Sequence, residues 1–263
     1  MALNPADWDN IASRPRPSWY LDRLVAEQKR RLHQELVRRW TEGLPLSKVL
    51  KTDLFEEAHG ADQILFDLFP QAGCAIGIDL AWSTARRALA KRPNPRVQFL
   101  TGDVRRLPIQ SESLDAIVST STLDHFDTRA DFCTALGELR RVLRPGGLAI
   151  VTLDNLHNPL YALLRMASRR GWAPFRLGYT VSQSGLVRHL QEAGLEVMAT
   201  ESLIHNPRLI STLLFLGLRR LLGPRADPPI RGLLKLFAAL ERLPTRRFTG
   251  CFVAACARKP RPA

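Results

Sequence analysis

The sequence predicts one α/β domain built on a doubly wound, mostly parallel sheet of seven strands. Three observations support this prediction. Short buried strand patterns alternate with helical patterns through the middle of the chain. Four of these strand patterns end in acidic or hydroxyl residues, which suits a ligand-binding edge formed by the carboxyl ends of parallel strands. The 263 residues are 45% hydrophobic, enough to bury one large core.

The first predicted element is an N-terminal helical segment, residues 1–46. Within residues 19–40, apolar side chains recur at near-helical spacing among many charged ones, which indicates an amphipathic helix that packs on the sheet. Pro45 then breaks the chain. The core of the domain is therefore expected to begin at residue 47.

The expected core, residues 47–203, alternates strands with helices. Strands are predicted at residues 47–52, 74–78, 97–101, 114–119, 148–153 and 195–203. Helices are predicted from the end of the first strand to residue 69 and at 82–91, 131–143 and 181–193. A last strand at 248–257 opens the final segment, residues 248–263. This order favours parallel pairing with right-handed crossovers.

The last two strands are separated by residues 204–247, a much longer stretch than the usual roughly 2–6 residues. Helical spacing within 231–242 places basic residues on one face and apolar residues on another, which predicts a basic amphipathic insertion. Such helices can pack as a lid over the domain or lie in a membrane interface. Both interpretations remain open from the sequence.

The net charge of +13 lies mainly at the end of the chain. Residues 205–263 contain twelve lysines and arginines against two acidic residues. This excess predicts an anionic partner such as lipid headgroups, nucleic acid or a phosphate-bearing substrate, with a solvated basic surface as the alternative. The basic residues are mixed into apolar helices rather than interleaved with exposed aromatic residues, which disfavours nucleic acid.

Composition also limits the location and chemistry. The four cysteines show no paired spacing, so we expect reduced thiols, a cytoplasmic protein and no metal site. The N-terminus does not resemble a secretory signal. The longest apolar run near the end, residues 209–218, is shorter than the ~20 residues of a spanning helix, which leaves peripheral contact with an anionic membrane as the membrane hypothesis. A nicotinamide enzyme would need a Gly-x-Gly-x-x-Gly turn, which the sequence lacks.

Four motifs resemble one known family. Gly77-Ile-Asp79, Gly102-Asp103-Val104-Arg-Arg-Leu-Pro108, Ser113-Leu-Asp115 and Leu143-Arg-Pro-Gly-Gly147 occur in this order. Their sequence and spacing resemble the class I S-adenosylmethionine-dependent methyltransferases of the "type 11" group. The resemblance implies a Rossmann-like seven-stranded sheet, S-adenosylmethionine as cofactor and methyltransferase activity.

The resemblance also implies roles for individual residues. Asp79, with Leu80 beside it, would hold the cofactor ribose, since a carboxylate accepts hydrogen bonds from hydroxyls. Asp103 would accept from the adenine amine, and the Val104 backbone would meet the adenine ring. Ser119 and Thr120, at the end of the fourth strand, would line the methionine end of the cofactor.

The first motif departs from the family. The stretch of residues 49–60, which runs from the first strand into the following loop, contains a single glycine where the family has several. Asp53 and Glu56 are candidates to hold the cofactor's ammonium group, and Thr52 to donate to its carboxylate. The alternative is a catalytically inactive methyltransferase-like protein that docks to an anionic membrane or a biosynthetic complex.

The predicted chemistry is direct in-line methyl transfer to a small-molecule or lipid-linked acceptor. The protein then has mainly to align a nucleophile and remove its proton. His125 and Asp124, which follow the fourth strand, are the catalytic candidates. A second polar cluster follows the fifth strand and is predicted to bind the acceptor, with helix capping and a turn as the structural alternative: Asp154, Asn155, His157 and Tyr161.

Overall fold

The computed structural model describes residues 7–10, 22–60, 63–68, 73–93, 95–172 and 177–262. Within these residues the chain forms a seven-stranded sheet in the order β3-β2-β1-β4-β5-β7-β6. The strands are β1 Lys48–Thr52, β2 Cys74–Asp79, β3 Val97–Thr101, β4 Leu114–Thr120, β5 Leu143–Asp154, β6 Glu196–Leu203 and β7 Phe252–Arg258.

From residue 22 onward, ten α-helices of the described residues connect and cover the strands. They are α1 Arg23–Thr41, α2 Phe55–His59, α3 Ile64–Leu68, α4 Trp82–Lys91, α5 Arg129–Val142, α6 Pro159–Arg169, α7 Gln183–Glu192, α8 Arg208–Leu222, α9 Asp227–Ala239 and α10 Arg246–Thr249. Short 3-10 turns cover Val104–Arg106, Leu123–His125, Gly223–Ala226 and Leu240–Arg242.

Strand pairing confirms the predicted doubly wound fold. Strands β1 to β5 pair in parallel, and β7 enters antiparallel between β5 and β6. Strand β1 pairs with β2 on one side and with β4 on the other, so the direction of winding reverses at its carboxyl end. Ligands of open α/β sheets bind at such a reversal point.

The sheet is buried on both faces, as a parallel sheet requires. Helices α5 and α7 pack on one face through Phe132, Leu136, Leu139, Leu186 and Leu190. The other face is covered by helices α1, α3 and α4, through Leu36, Val37, Leu65, Ala85 and Ala88. Both layers hold the carboxyl edge of the sheet in a fixed geometry.

Two predicted strand boundaries were wrong. Strand β7 begins at Phe252 rather than at residue 248, because the Gly250 amide donates to Arg246 O and closes a helical turn, α10. Strand β5 begins at Leu143 rather than at residue 148, because the backbone around Gly146 and Gly147 pairs with Lys259. Helix α6 had no counterpart among the predicted elements.

The long connection between β6 and β7 contains α8, α9 and α10. Buried side chains of α8 and α9 pack against Leu24 of α1, among them Phe215, Ile230 and Leu234. Arg219 of α8 strengthens this contact by donating to Asp22 at 2.7 Å and to Asp227 at 2.5 Å. Across the described parts of the chain, none of the helices has both the length and the apolar character needed to cross a membrane.

Candidate active site

A large cavity opens at the carboxyl edge of the sheet. Its volume is about 1130 Å³, above the roughly 300–1,000 Å³ of most small-molecule sites. The cavity therefore has room for a cofactor and a second molecule. Its wall combines strand ends with residues of α1, α6 and α8, among them Asp53, Asp79, Asp103, Thr120, Asp154, Lys29, Leu164, Arg208, Thr212 and Phe215.

Asp79 lies at the end of β2 and faces this cavity, with Leu80 beside it. Its Oδ2 accepts from the Leu54 amide at 2.9 Å, and its Oδ1 accepts from the Ala81 amide at 2.8 Å. Burial raises the pKa of Asp79 to about 7, and the nearby charge of Asp53 adds to the rise. The carboxylate is thus fixed in place and retains lone pairs for ligand hydroxyls.

The loop after β1 keeps a glycine-like conformation without glycine. Asp53 has φ of 65°, in the left-handed region that glycine favours, and its Oδ1 accepts from the Phe55 amide at 2.7 Å. The buried Lys51 ammonium donates to Asp53 O and to Glu57 Oε2. Burial raises the pKa of Glu57, while Lys51 opposes that rise.

Positive φ angles of non-glycine residues cluster around the cavity. Among the described residues there are four such positions, and three of them line the cavity: Asp53 after β1, Ser121 after β4 and Ile204 after β6. Ile204 has φ of 57°, an unusual value for a β-branched side chain. Backbone strain of this kind concentrates at binding and catalytic sites.

Asp103 and Val104 follow β3 and both line the cavity. Asp103 accepts from Arg105 Nε at 3.0 Å and from Arg105 Nη2 at 2.6 Å. Arg105 also donates to Asp131 at 2.7 Å, and these two carboxylates raise the pKa of its guanidinium. Asp103 therefore meets the cavity as part of a charged network, and its contact with adenine stays a prediction.

The three hydroxyl residues predicted to contact the cofactor, Thr52, Ser119 and Thr120, lie in different environments. Thr120 lines the cavity, as do the following Ser121 and Thr122. Thr52 and Ser119 are fully buried, and Thr52 Oγ1 donates to Ser119 Oγ at 2.9 Å. These two hydroxyls thus connect β1 to β4 behind the cavity wall.

Glu56 reaches the cavity from α2, where it pairs with Lys29 of α1 at 3.2 Å. This ion pair links the β1 loop to the N-terminal helix. A cofactor ammonium group at Glu56 would share the carboxylate with Lys29.

The two catalytic candidates lie in different environments. His125 lines the cavity, and its ring meets the edge of Trp8 with 5.5 Å between ring centroids. Asp124 is buried behind the wall, where its Oδ2 accepts from the Asp154 amide at 2.7 Å. Burial raises the pKa of Asp124 to about 6, with a further rise from the charge of Asp154. His125 is therefore the one of the two that lines the cavity.

The predicted acceptor residues after β5 also lie in different environments. Asp154 lines the cavity and forms an ion pair with Arg208 at 2.6 Å. Asn155 is buried and donates to Arg247 O at 2.8 Å and to Gly250 O at 2.9 Å, so its amide secures the chain before β7. Asn158 caps α6 by accepting from the Leu160 amide, whereas the structural alternative for this stretch assigned the cap to Asp154 or Asn155 and a turn to Asn158-Pro159.

The other two predicted acceptor residues lie off the cavity wall. His157 is exposed, with 6.1 Å between its ring centroid and that of Phe248. Tyr161 is buried in a small adjoining void, and burial followed by the charge of Asp154 raises its pKa to about 12. Neither side chain is placed to meet a ligand in the cavity.

Sequence reasoning missed several residues of the cavity wall. Trp8 and Asn206 both face the cavity, and buried Asn206 Oδ1 has no hydrogen-bond partner. Helix α8 contributes the largest group that was missed: Arg208, Leu209, Ser211, Thr212, Phe215, Leu216 and Arg219. The signal was the His205-Asn-Pro-Arg208 stretch at a strand end, which resembles His157-Asn-Pro after β5.

The residues present fit S-adenosylmethionine. Asp79 supplies an acceptor for hydroxyls at the reversal point of the sheet, and Asp53 gives the β1 loop its glycine-like backbone. At Gly102 an added Cβ would lie 3.1 Å from Ile78 Cδ1, so a side chain there would crowd the wall below Asp79. The cavity edge therefore has the polar groups that a nucleoside cofactor needs.

Comparison with known proteins identifies the class. Residues 58–151 match the family model of the methyltransferase domain. A probable S-adenosylmethionine-dependent methyltransferase of Mycolicibacterium smegmatis is 33% identical over 99 residues, 38% of this chain. A demethylmenaquinone methyltransferase of Roseiflexus sp. is 36% identical over 93 residues, 35% of this chain. The chain spans 35% and 37% of the length of these two relatives.

The fold agrees over nearly the whole chain. The N-methyltransferase NodS of Bradyrhizobium japonicum, solved with S-adenosyl-L-homocysteine, superimposes with a TM-score of 0.61. It is 15% identical, and the alignment covers 97% of this chain and 98% of that one. Residues 58–151 thus match a methyltransferase domain and the whole chain has the fold of NodS, in agreement with the class I S-adenosylmethionine-dependent methyltransferases that its motifs resemble. S-adenosylmethionine is the cofactor of this class.

Proposed function

We propose that this protein transfers a methyl group from S-adenosylmethionine directly to a small, largely apolar or lipid-linked acceptor. The observation that carries the proposal is the continuity of the cavity. One cavity of about 1130 Å³ includes the ribose position at Asp79 and the apolar side chains of α8, such as Phe215 and Leu216. A methyl donor and an acceptor can therefore meet within it.

The polar groups of the cavity divide into two sets. Asp53, Asp79, Asp103 and Thr120 lie at the ends of β1 to β4, where they would hold the cofactor. The second set lies at the start of α8, where Asn206 and Arg208 line the cavity and would meet a polar group of the acceptor. Apolar residues between and around this second set suit the rest of the acceptor molecule: Leu164, Ala167, Leu209, Phe215 and Leu216.

Bound S-adenosylmethionine supplies an electrophilic methyl group and a neutral thioether leaving group. The protein's own contribution is to align the acceptor with the methyl group and to exclude water. His125 is the residue that would take the acceptor's proton, since its imidazole lines the cavity. Trp8 contacts its ring and would help to set its orientation.

A catalytically inactive protein is the less favoured alternative. The glycine-poor loop was its main support, and the left-handed backbone at Asp53 supplies the shape that glycine would give. The loop after β1 therefore gives no reason to regard the site as inactive.

Cofactor binding and methyl transfer are the direct tests. We expect the protein to bind S-adenosylmethionine in calorimetry, with an affinity that Asp79→Ala lowers by about tenfold or more. Glu201→Ala is the matched control, because Glu201 pairs with Arg39 and lies off the cavity wall. Absence of binding at millimolar cofactor, or equal binding by Asp79→Ala, would overturn the proposal.

The acceptor class is tested with labelled cofactor. Incubation with S-adenosyl-[methyl-³H]methionine and a total lipid extract should place label in the organic phase. Leu216→Trp fills the acceptor part of the cavity and should abolish labelling while cofactor binding stays intact. Leu214→Trp, on the outer face of the same helix, should label normally. Label found only in water-soluble products would refute the lipid-linked acceptor.

A further inference from the structure

Helix α8 is apolar on the side that faces solvent as well as on the side that packs on the domain. Arg208, Ser211, Thr212 and Arg219 line the cavity, and both hydroxyls donate to Arg208 O. The side of α8 that faces solvent carries five large apolar side chains, and Leu209 at its border also lines the cavity. This α8 outer face consists of Leu209, Ile210, Leu213, Leu214 and Leu221, which are 40–83% exposed. The solvent-facing side of a helix on a domain surrounded by water is normally polar.

The neighbouring helix extends the apolar area. Leu164 of α6 and Arg208 of α8 line the same small void, so the two helices are adjacent. Leu163 and Met166 of α6 are exposed as well. Exposed apolar side chains grouped on adjacent helices are typical of a site of interaction with a protein or a membrane.

The charge around the α8 outer face distinguishes between these partners. Helix α8 has no acidic residue, and Arg220 and Arg225 are exposed at its end. On α9, Arg231 and Lys235 are exposed too. Apolar side chains bordered by arginine and lysine favour the interface of a bilayer with anionic headgroups.

We propose that the α8 outer face docks on an anionic lipid bilayer, with α8 lying in the plane of the interface. The 15 residues of α8 are too few to span the bilayer, which agrees with a position along its surface. Exposed leucines would enter the acyl region, and the arginines would contact the headgroups. Docking is a property of this surface and does not depend on methyl transfer.

The position of the cavity beside the α8 outer face connects docking to the entry of the acceptor. Leu209 belongs to the α8 outer face and also lines the cavity. Trp172 is likewise both exposed and part of the cavity wall. The cavity thus opens beside the docking surface, where a lipid-linked acceptor would enter from the bilayer. This last step rests on the proposed function.

Vesicle sedimentation tests docking without cofactor or acceptor. The full chain should bind vesicles of phosphatidylcholine and phosphatidylglycerol more tightly than vesicles of phosphatidylcholine alone, and less tightly at high salt. Ile210→Ser with Leu213→Ser should weaken binding about tenfold or more. Arg220→Gln should weaken binding to the anionic vesicles about fivefold.

The matched control is Leu89→Ser with Met198→Ser, which changes two comparably exposed residues on α4 and β6. It should bind like the unchanged protein. All variants change exposed side chains, and circular dichroism with thermal unfolding verifies that they fold. Equal binding by the α8 double variant overturns the proposal. So does the finding that this face instead joins two copies of the chain, seen as a dimer that the same substitutions dissociate without any vesicle binding.

Discussion

Arg208 and Asp154 form an ion pair across the cavity wall, with 2.6 Å between Nη2 and Oδ1. Asp154 ends β5, and Arg208 begins α8, so the pair joins the sheet to the helix that covers the cavity. The guanidinium also lies over the Phe252 ring, 4.1 Å from its centroid. Three elements are thus held together by one arginine.

Arg208→Met should therefore destabilise the fold. The Asp154 carboxylate is nearly buried and would lose its counter-charge, whereas the alkyl chain of methionine keeps some packing on Phe252. Because Arg208 is partly exposed, we expect a loss of about 2 kcal/mol rather than the ~3–5 kcal/mol of a fully buried pair. Urea denaturation measures this loss.

The double variant Arg208→Met with Asp154→Asn provides the control. It removes both charges and should be more stable than Arg208→Met alone. If the two charges did not interact, the double variant would lose the free energy of unfolding lost by Arg208→Met plus that lost by Asp154→Asn alone.

The raised pKa of buried Asp124 predicts that its contribution to the free energy of unfolding decreases as the pH rises from about 4 to about 6. Its pKa rises from 3.8 to about 6 on folding, because the side chain is buried beside Asp154. The folded state therefore holds this proton more tightly than the unfolded state. Its contribution to stability is present below pH 3.8 and is lost as pH rises to about 6, by about 2–3 kcal/mol.

Asp124→Asn should remove this effect. Relative to the unchanged protein, the variant should gain stability between pH 4 and 7 in chemical denaturation. Asp131→Asn is the control of opposite sign, since the pKa of Asp131 is lowered by Thr128 and Arg105 and its contribution is lost only in more acidic solution. The same pH profile with and without Asp124 would contradict the assignment.

More of the predicted cofactor residues than of the predicted acceptor residues line the cavity. Asp79 ends β2 and Asp103 comes shortly after β3, and the strand direction alone brings them to one edge. Asp124 lies in a 3-10 turn, and that turn directs its side chain behind the wall while His125 reaches the cavity. Such a turn leaves no periodic signal in the sequence.

Helix α8 shows a second limit of sequence patterns. Its apolar residues predicted a buried or interfacial helix, but the pattern alone does not say which face meets the domain. The fold decides this through Arg208 and Arg219, whose partners Asp154 and Asp22 lie in β5 and before α1. Contacts between residues so distant in sequence are set by the tertiary structure.

The left-handed backbone at Asp53 predicts that glycine is more stable than alanine at this position, the reverse of the usual order. Alanine at φ of 65° is strained, whereas glycine is not. Asp53→Ala should therefore have a free energy of unfolding about 1 kcal/mol lower than that of Asp53→Gly. Denaturant titration of both variants measures the difference.

Asp127 supplies the comparison for this pair. It is exposed and does not belong to the positive-φ residues, so alanine should be preferred over glycine there. If both positions preferred alanine, the conformation of the β1 loop would differ from the one described.

The raised pKa of Asp79 predicts that cofactor affinity depends on pH. The carboxylate is a better acceptor for ribose hydroxyls than the neutral acid, and its pKa is about 7. Affinity should thus increase as pH rises through about 7 and then level off. The suitable ligand is 5′-methylthioadenosine, because it lacks the amino acid group of S-adenosylmethionine and does not itself titrate in this range. Calorimetry at several pH values gives the midpoint.

Asp53→Asn should move that midpoint to lower pH. The Asp53 charge is the second cause of the raised pKa of Asp79, after burial, and asparagine removes it. Asparagine also tolerates the left-handed backbone, and its side-chain oxygen can still accept from the Phe55 amide. The substitution therefore changes the charge with little change in shape. Asp79→Asn should abolish the pH dependence altogether, and a dependence that persists in this variant would assign the titration to another group.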